Sequence, residues 1–419
     1  MTGEILQIAG AAVIGGLLGC LVACVPALHV YNVMGLAMAG VYAFGPAVDG
    51  VPAAVLVPLA TGLLVGWSMA NTIPSVLLAA ADESALLTVL PGQKYAMMGR
   101  GFEAVMLTAF GGLAGAFLLV LVVGPLAPLL MPTLHAVFGR HEHWVLWAVI
   151  VFMLLSEWPK QGNRGQGGWR KFIRAWAPLS AGLLTFVLSG LLGFILHYRS
   201  PIRAGAAFQD MLPAFAGLFA VPWLILNIVS RVELPPQDVA SFRGVPGRPG
   251  LGGICAGFMG GMFASYFRGV SGGVGGMLAG HAASQRDSRM FLVSQGTSKL
   301  VYYVGAFLLF FVPGESHARG TATWLVRGIY VPLSWNEYYM VLASIAISGA
   351  LAFALTGPLT RLVLWICGRA GYRNVSIFSL VLMIGLVFGA TGWRGLLVLP
   401  VATGIGLVPV LFYSRRLNC

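Results

Sequence analysis

The run CVPALHVYNVMGLAMAG, residues 24–40, sets Pro26, His29 and Asn32 within two turns of one another in otherwise apolar chain. Proline has no N–H and displaces the carbonyl four residues back, so a helix reaching Cys24 or Val25 stops or kinks there. The carbonyls freed behind the break and the N–H groups freed ahead of it then need partners. A helix restarting after it presents a partly positive end that suits an anion. Two readings stand: a break that opens onto a cavity through His29, Tyr31 and Asn32, or a kinked helix whose His29 and Asn32 only satisfy neighbouring helices.

A second knot, YFRGVSGGVGG (266–276), points to the same chemistry. An arginine within a membrane is costly and normally faces a cavity or a partner. Arg268 offers a planar fork matched to a carboxylate, beside Gly269, Ser271 and Gly272, where backbone N–H groups can come close to a ligand. The alternative is a helix-end arginine that snorkels to the headgroups. Lys299, with Ser298 beside it, is a similar case and reads equally as an interfacial anchor. In AAADESALL, Asp82 and Glu83 separate an apolar segment headed by Asn71, Thr72 and Pro74 from one that ends at Pro91. As a hairpin tip this stretch would bring Asn71 and Thr72 to the substrate and an acid to a coupled cation or proton. As a solvent-facing turn, its acids would cap the next helix.

Such residues need elements to hold them, and composition says which. With 58% hydrophobic residues, 9% charged and a mean hydropathy of +0.86 over 419 residues, nearly every candidate helix is apolar all round. The chain reads as an all-α polytopic membrane protein of about 10–12 transmembrane helices. Several apolar pieces, such as 144–156 and 322–333, are too short to cross and are expected as broken or re-entrant helices. The net charge of +12 is scattered through short loops without a basic, aromatic-interleaved stripe, so it reads as topology and lipid contact, with no nucleic acid. The five cysteines form no Cys-x-x-Cys pair, HEH (141–143) lacks companions for a metal, and Asp49 and Asp210 read as loop residues. No nucleophile elbow, phosphate loop or zinc-protease motif appears, and no cofactor is expected beyond a coupled sodium ion or proton. The start, MTGEILQIAG, lacks a basic n-region, so no cleaved signal peptide is expected.

SEWPKQGNRGQGGWRKFIRA (156–175) carries five basic residues against Glu157 and is placed in the cytoplasm. The proline-rich stretch 231–250 reads as a cytoplasmic linker on the same side, between an N-terminal half (1–230) and a C-terminal half (251–419). Residues 15–40 can be laid on 256–280: both begin with closely spaced glycines, break at a polar knot and resume with small residues. Apolar runs that stop at Pro-Gly, at Pro91 and Pro313, follow in each half. Paired interrupted segments of this kind point to a transporter's binding site.

The stretch from Asn71 to Gly115 resembles the hallmark region of the large permease subunit of tripartite tricarboxylate transporters, especially the shorter branch of that family. Leu90, Pro91, Gly92, Gly99, Arg100, Gly101, Glu103 and Ala104 match its leucine-proline-glycine and glycine-arginine-glycine pattern. DMLPAFAGLFAVPWLILNI (210–228) and TGIGLVPVLFYSRRLNC (403–419) are similar to later parts of the family. The chain departs from the family's two Pro-Gly breaks, with Ala27 after Pro26 and Arg268 where the second proline would align. The resemblance implies a prokaryotic inner-membrane permease. Its partners would be membrane lipids, a small membrane subunit, an extracytoplasmic substrate-binding protein and further copies of itself. The expected function is secondary active transport of a small organic anion, a carboxylate, coupled to protons or sodium. The contrasting expectation is an intramembrane enzyme or lipid-handling protein using His29 with Asp82 or Glu83.

Overall fold

The computed structural model describes residues 2–26, 28–35, 53–80, 84–159, 168–203, 210–230, 233–240, 244, 247–282, 287–315, 317–327, 330–332 and 334–419. Asp82 and Glu83 lie outside the described residues. Among the described residues the chain is helical, without strands. In order the helices are α1 (Thr2–Ala23), α2 (30–35), α3 (Ala53–Ala70), α4 (Thr72–Leu77), α5 (Leu86–Met97), α6 (Gly101–Phe138) and α7 (Glu142–Leu155). Then come α8 (Trp169–Arg199), α9 (Met211–Ser230), α10 (Gly247–Tyr266), α11 (Gly272–Ala282), α12 (288–310), α13 (Thr321–Arg327), α14 (Trp335–Ala370) and α15 (Tyr372–Leu411).

Seven of the described helical stretches are long and apolar enough to cross a membrane: α1, α3 with α4, α6, α8, α9, α14 and α15. The last is two arms joined at Gly392, whose φ of 68° lies outside helical backbone. The short apolar runs do become half-length helices, α7 and α13.

Both expected interruptions are present. Helix α1 ends at Ala23 and the chain resumes helix at residue 30, while α10 ends at Tyr266 and α11 begins at Gly272. The stop expected at Pro91 is not: α5 runs through it from Leu86 to Met97. Pro91 is the sixth residue of α5, so the helix continues with one backbone bond forfeited, and Gly92 lets it lie against Val76. The stop at Pro313 is real, with helix ending at Phe310 and Gly314 at φ +82°.

Glycine pairs set the packing, because without a hydrophobic drive between lipid-embedded helices close backbone approach supplies the attraction. Gly15 meets Leu59, Gly19 meets Leu63 and Trp67, and Gly66 meets Gly16 and Cys20, so α1 and α3 run side by side in one direction. A Cβ on Gly66 would lie 2.3 Å from the Gly16 carbonyl oxygen. The same relation recurs between α10 and α12, where Gly253, Gly257 and Gly261 meet Met290, Ser294 and Ser298. Helix α11 folds back on α10, with Gly260 and Gly275 against each other's carbonyls. Helix α12 is the centre of the molecule: every residue from 292 to 312 is buried, between α6, α10, α11 and α3.

Candidate functional site

The first break is held by side chains as well as by proline. Before Pro26 the last turn of α1 tightens to three-residue bonds, Cys24 N–H to the Leu21 carbonyl and Val25 N–H to that of Val22. The freed Leu28 carbonyl accepts from the Trp67 indole at 3.0 Å. His29, buried, caps α2: its Nδ1 accepts from the Tyr31 N–H at 3.1 Å. That bond leaves the proton on Nε2, which donates to the Tyr303 hydroxyl at 3.0 Å. The imidazole sits among Tyr31, Trp67 and Tyr303 with ring centres 4.5 to 5.7 Å away. One N–H expected to face an anion is thus satisfied by His29 itself. Asn32 and Pro26 are buried in the same knot.

At the second break Gly269 takes φ +77°, a conformation in which a side chain is strained. Ser271 caps α11 by accepting from the Val274 N–H at 3.4 Å. The carbonyls freed at the end of α10 are met from the segment after α12. His317 Nε2 donates to the Tyr266 carbonyl at 2.9 Å, Arg319 Nε to that of Phe267 at 3.0 Å, and Arg319 Nη2 to that of Val270. Arg319 is buried and lies over the Tyr302 ring, 4.8 Å from its centre.

The two breaks border one cavity of about 390 Å³. Tyr31 comes from the first, Arg268, Gly269 and Ser271 from the second, Tyr302 from α12, and Arg319 from the segment beyond it. Phe215 and Phe219 of α9 form an apolar side. Among the described residues, two guanidinium groups and no acidic side chain line this space, a balance that favours an anion with some hydrocarbon. Arg268 is exposed, its fork unburied, and its backbone N–H reaches a Glu142 oxygen at 3.5 Å.

The remaining candidates do not line the cavity. Gly272 packs under Tyr302, where a Cβ would lie 2.7 Å from the ring. Lys299 is buried and donates to the Thr72 hydroxyl at 3.1 Å. Asn71 lies beside Thr72 and is tied to Trp67 by its N–H, and the Ser298 hydroxyl is buried with no hydrogen-bond partner among the described residues. This group stands one helical turn from the Trp67–Tyr303 contact, behind the cavity wall.

Four residues to which the sequence alone assigned no role contribute to the site. Arg319 stands in a segment noticed only for its Pro-Gly stop. Tyr302 and Tyr303 stand side by side on the π-turn Val301–Gly305, ring centres 4.5 Å apart, with Tyr302 lining the cavity and Tyr303 meeting His29. Trp67 lies in a plain apolar run, where an indole carries no signal of the carbonyl it will meet. The hallmark glycine-arginine-glycine motif serves elsewhere. Glu103, buried, pairs with Arg100 and with Arg289 at 2.6 and 2.7 Å, tying α6 to α12. The turn at Gly99–Gly101 holds the 231–250 stretch through Asp238 and Gln237.

A multi-pass helical bundle whose two interrupted helices meet at a basic cavity has the architecture of a membrane transporter. Residues 10–419 match the tripartite tricarboxylate transporter TctA family, and the chain belongs to that family. It is therefore a multi-pass cell-membrane transporter and not an enzyme. An uncharacterized protein of Methanocaldococcus jannaschii, MJ1079, is 24% identical over 380 residues, covering 89% of this chain and 86% of its own length. No solved structure matches.

Proposed function

We propose that the protein is the large permease subunit of a tripartite system and moves a small carboxylate across the membrane, driven by a proton or sodium gradient. The observation that carries this reading is the cavity shared by the two breaks, with Arg268 and Arg319 on its wall and no acidic side chain among the described residues. Arg268 would meet a carboxylate by its fork, Gly269 and Ser271 would line its path, and Phe215 and Phe219 would cover its carbon skeleton. His29, Pro26 and Asn32 would shape the wall from behind, and Asn71, Thr72, Ser298 and Lys299 would form a deeper polar layer. Asp82 and Glu83 stay in the proposal as coupling acids. The division into halves at 1–230 and 251–419 and the two partner subunits belong to the same reading, which the family's tripartite systems support.

The test is initial uptake by proteoliposomes given a panel of labelled mono-, di- and tricarboxylates, with and without imposed proton and sodium gradients. Saturable uptake of a carboxylate, inhibited by its unlabelled form, is expected. Uptake of none of them, while labelled amino acids or sugars enter, would remove the carboxylate.

A further inference from the structure

Beside the second break stands a chain of titratable groups that the transport reading leaves without a role. Glu315 Oε2 bonds to His135 Nδ1. His135 Nε2 meets His317 Nδ1 at 2.7 Å, and His317 Nε2 meets the Tyr266 carbonyl at 2.9 Å, at the last residue of α10. The His317 ring lies parallel to that of Tyr266, centres 4.9 Å apart. His317 is buried, whereas His135 and Glu315 are 30% and 21% exposed, so the chain runs from a solvent-reachable end to a buried carbonyl.

Proton counting shows what this chain can do. A carbonyl only accepts, so His317 Nε2 must carry a hydrogen. Its Nδ1 is then a bare acceptor, and His135 Nε2 must donate to it. The contact between His135 Nδ1 and Glu315 needs a third hydrogen, on either atom. Three bonds require three protons, and with three the group is neutral overall, either with a protonated Glu315 or with a carboxylate beside an imidazolium. Remove one and a bond must fail. The carboxylate keeps its charge-assisted bond to His135 Nδ1–H. His135 Nε2 becomes an acceptor, His317 turns its hydrogen to Nδ1 to meet it, and a bare His317 Nε2 then faces the Tyr266 carbonyl. Loss of a proton at the exposed end thus unlatches the buried end.

We propose that Glu315, His135 and His317 form a proton-binding relay that clamps the end of α10 when three protons are bound and releases it when one leaves. The other charged and titratable groups facing the relay are Tyr266, Arg268 at the break, Glu142 of α7, and Arg319, which holds the neighbouring carbonyls. Burial pushes the His317 imidazole below the ordinary histidine range, which disfavours a second proton on that ring. Where this relay bears on transport it rests on the carboxylate-permease reading, in which it makes the coupled cation a proton; proton binding itself needs no substrate.

The experiment is hydrogen exchange of the purified protein without substrate, read by mass spectrometry on peptides spanning 263–275 across roughly pH 5 to 9 and corrected for the intrinsic pH dependence of exchange. The parent is expected to lose protection there as pH rises, along a one-proton curve. Glu315→Gln supplies an amide N–H to His135 and has no proton to lose, so its protection is expected to stay high throughout. His317→Ala is expected to be unprotected throughout. Parent protection that does not change with pH, or a Glu315→Gln curve like the parent's, overturns the relay. The parent curve alone decides if neither variant folds. None of these outcomes depends on whether a carboxylate is carried.

Discussion

Arg268 and Arg319 reach one cavity from opposite surroundings, and substitution should separate them. Arg268 is exposed and makes no side-chain ion pair among the described residues, so its charge is available to a ligand but weakened by solvent. Arg268→Gln is expected to weaken carboxylate affinity about tenfold, with Arg268→Lys between it and the parent, since a point charge keeps the attraction and loses the fork. Thermal stability should not change. Uptake rate against concentration checks this, and a parent-like affinity in Arg268→Gln would remove it from the site. Arg319 is buried and donates to two carbonyls of the break. Charge-assisted bonds contribute roughly 1.5 to 3 kcal/mol each, so loss of both in Arg319→Gln is expected to destabilise the fold by about 3–6 kcal/mol. A lowered thermal midpoint, with uptake lost in step, is the expected result. An unchanged midpoint would mean that the turn holds without its clamp.

At the scale of elements, the two breaks are built differently. The first follows from Pro26, but it is also held by the Trp67 indole on the Leu28 carbonyl and by His29 on the Tyr31 N–H. Two independent devices make the proline partly redundant. Pro26→Ala is expected to keep substrate affinity within about threefold of the parent, as a substitution that removes no hydrogen bond. Trp67→Phe leaves a partly buried carbonyl unmet, at a cost of about 0.5–1.5 kcal/mol, and is expected to be the more damaging of the two. Thermal midpoints and uptake of the pair compare them directly, and the reverse order would return the break to proline alone. The second break depends on Gly269 for its shape and on α12 and the segment after it for its bonds. No local signal marks that dependence, because Arg319 and His317 stand 49 and 51 residues from the carbonyls they meet.

At the scale of the molecule, orientation rests on charge. The loop 157–174 carries Lys160, Arg164, Arg170, Lys171 and Arg174 against Glu157, and short basic loops stay on the cytoplasmic side. A cysteine at Gly165, in a background lacking the native cysteines, is expected to resist a membrane-impermeant thiol reagent in intact cells and to react after permeabilisation. Rapid labelling from outside would invert the topology. With that loop inside, the start of α8 is cytoplasmic.

The amino-acid sequence by itself determined the solvent and the places where helices fail. Apolar helices without a polar face can be buried only in lipid or in one another, and Pro26 and Gly269 dispose the chain to break through their own covalent chemistry. The glycines at 15, 19, 257 and 261 announced close packing for the same local reason. What only the tertiary structure decided is which groups meet at those breaks. Pro91 reads like a stop, yet α5 continues through it, packed by Gly92 against Val76. Tyr302 and Tyr303 are neighbours in sequence, and packing gives one to the cavity and the other to His29. Arg319, buried against carbonyls of another helix, has no sequence neighbour that reveals them. A freed backbone group must find a partner, and the residue types say only that it will. Which side chain arrives is settled by the packing of helices far apart in the chain, and that information exists only once they have packed.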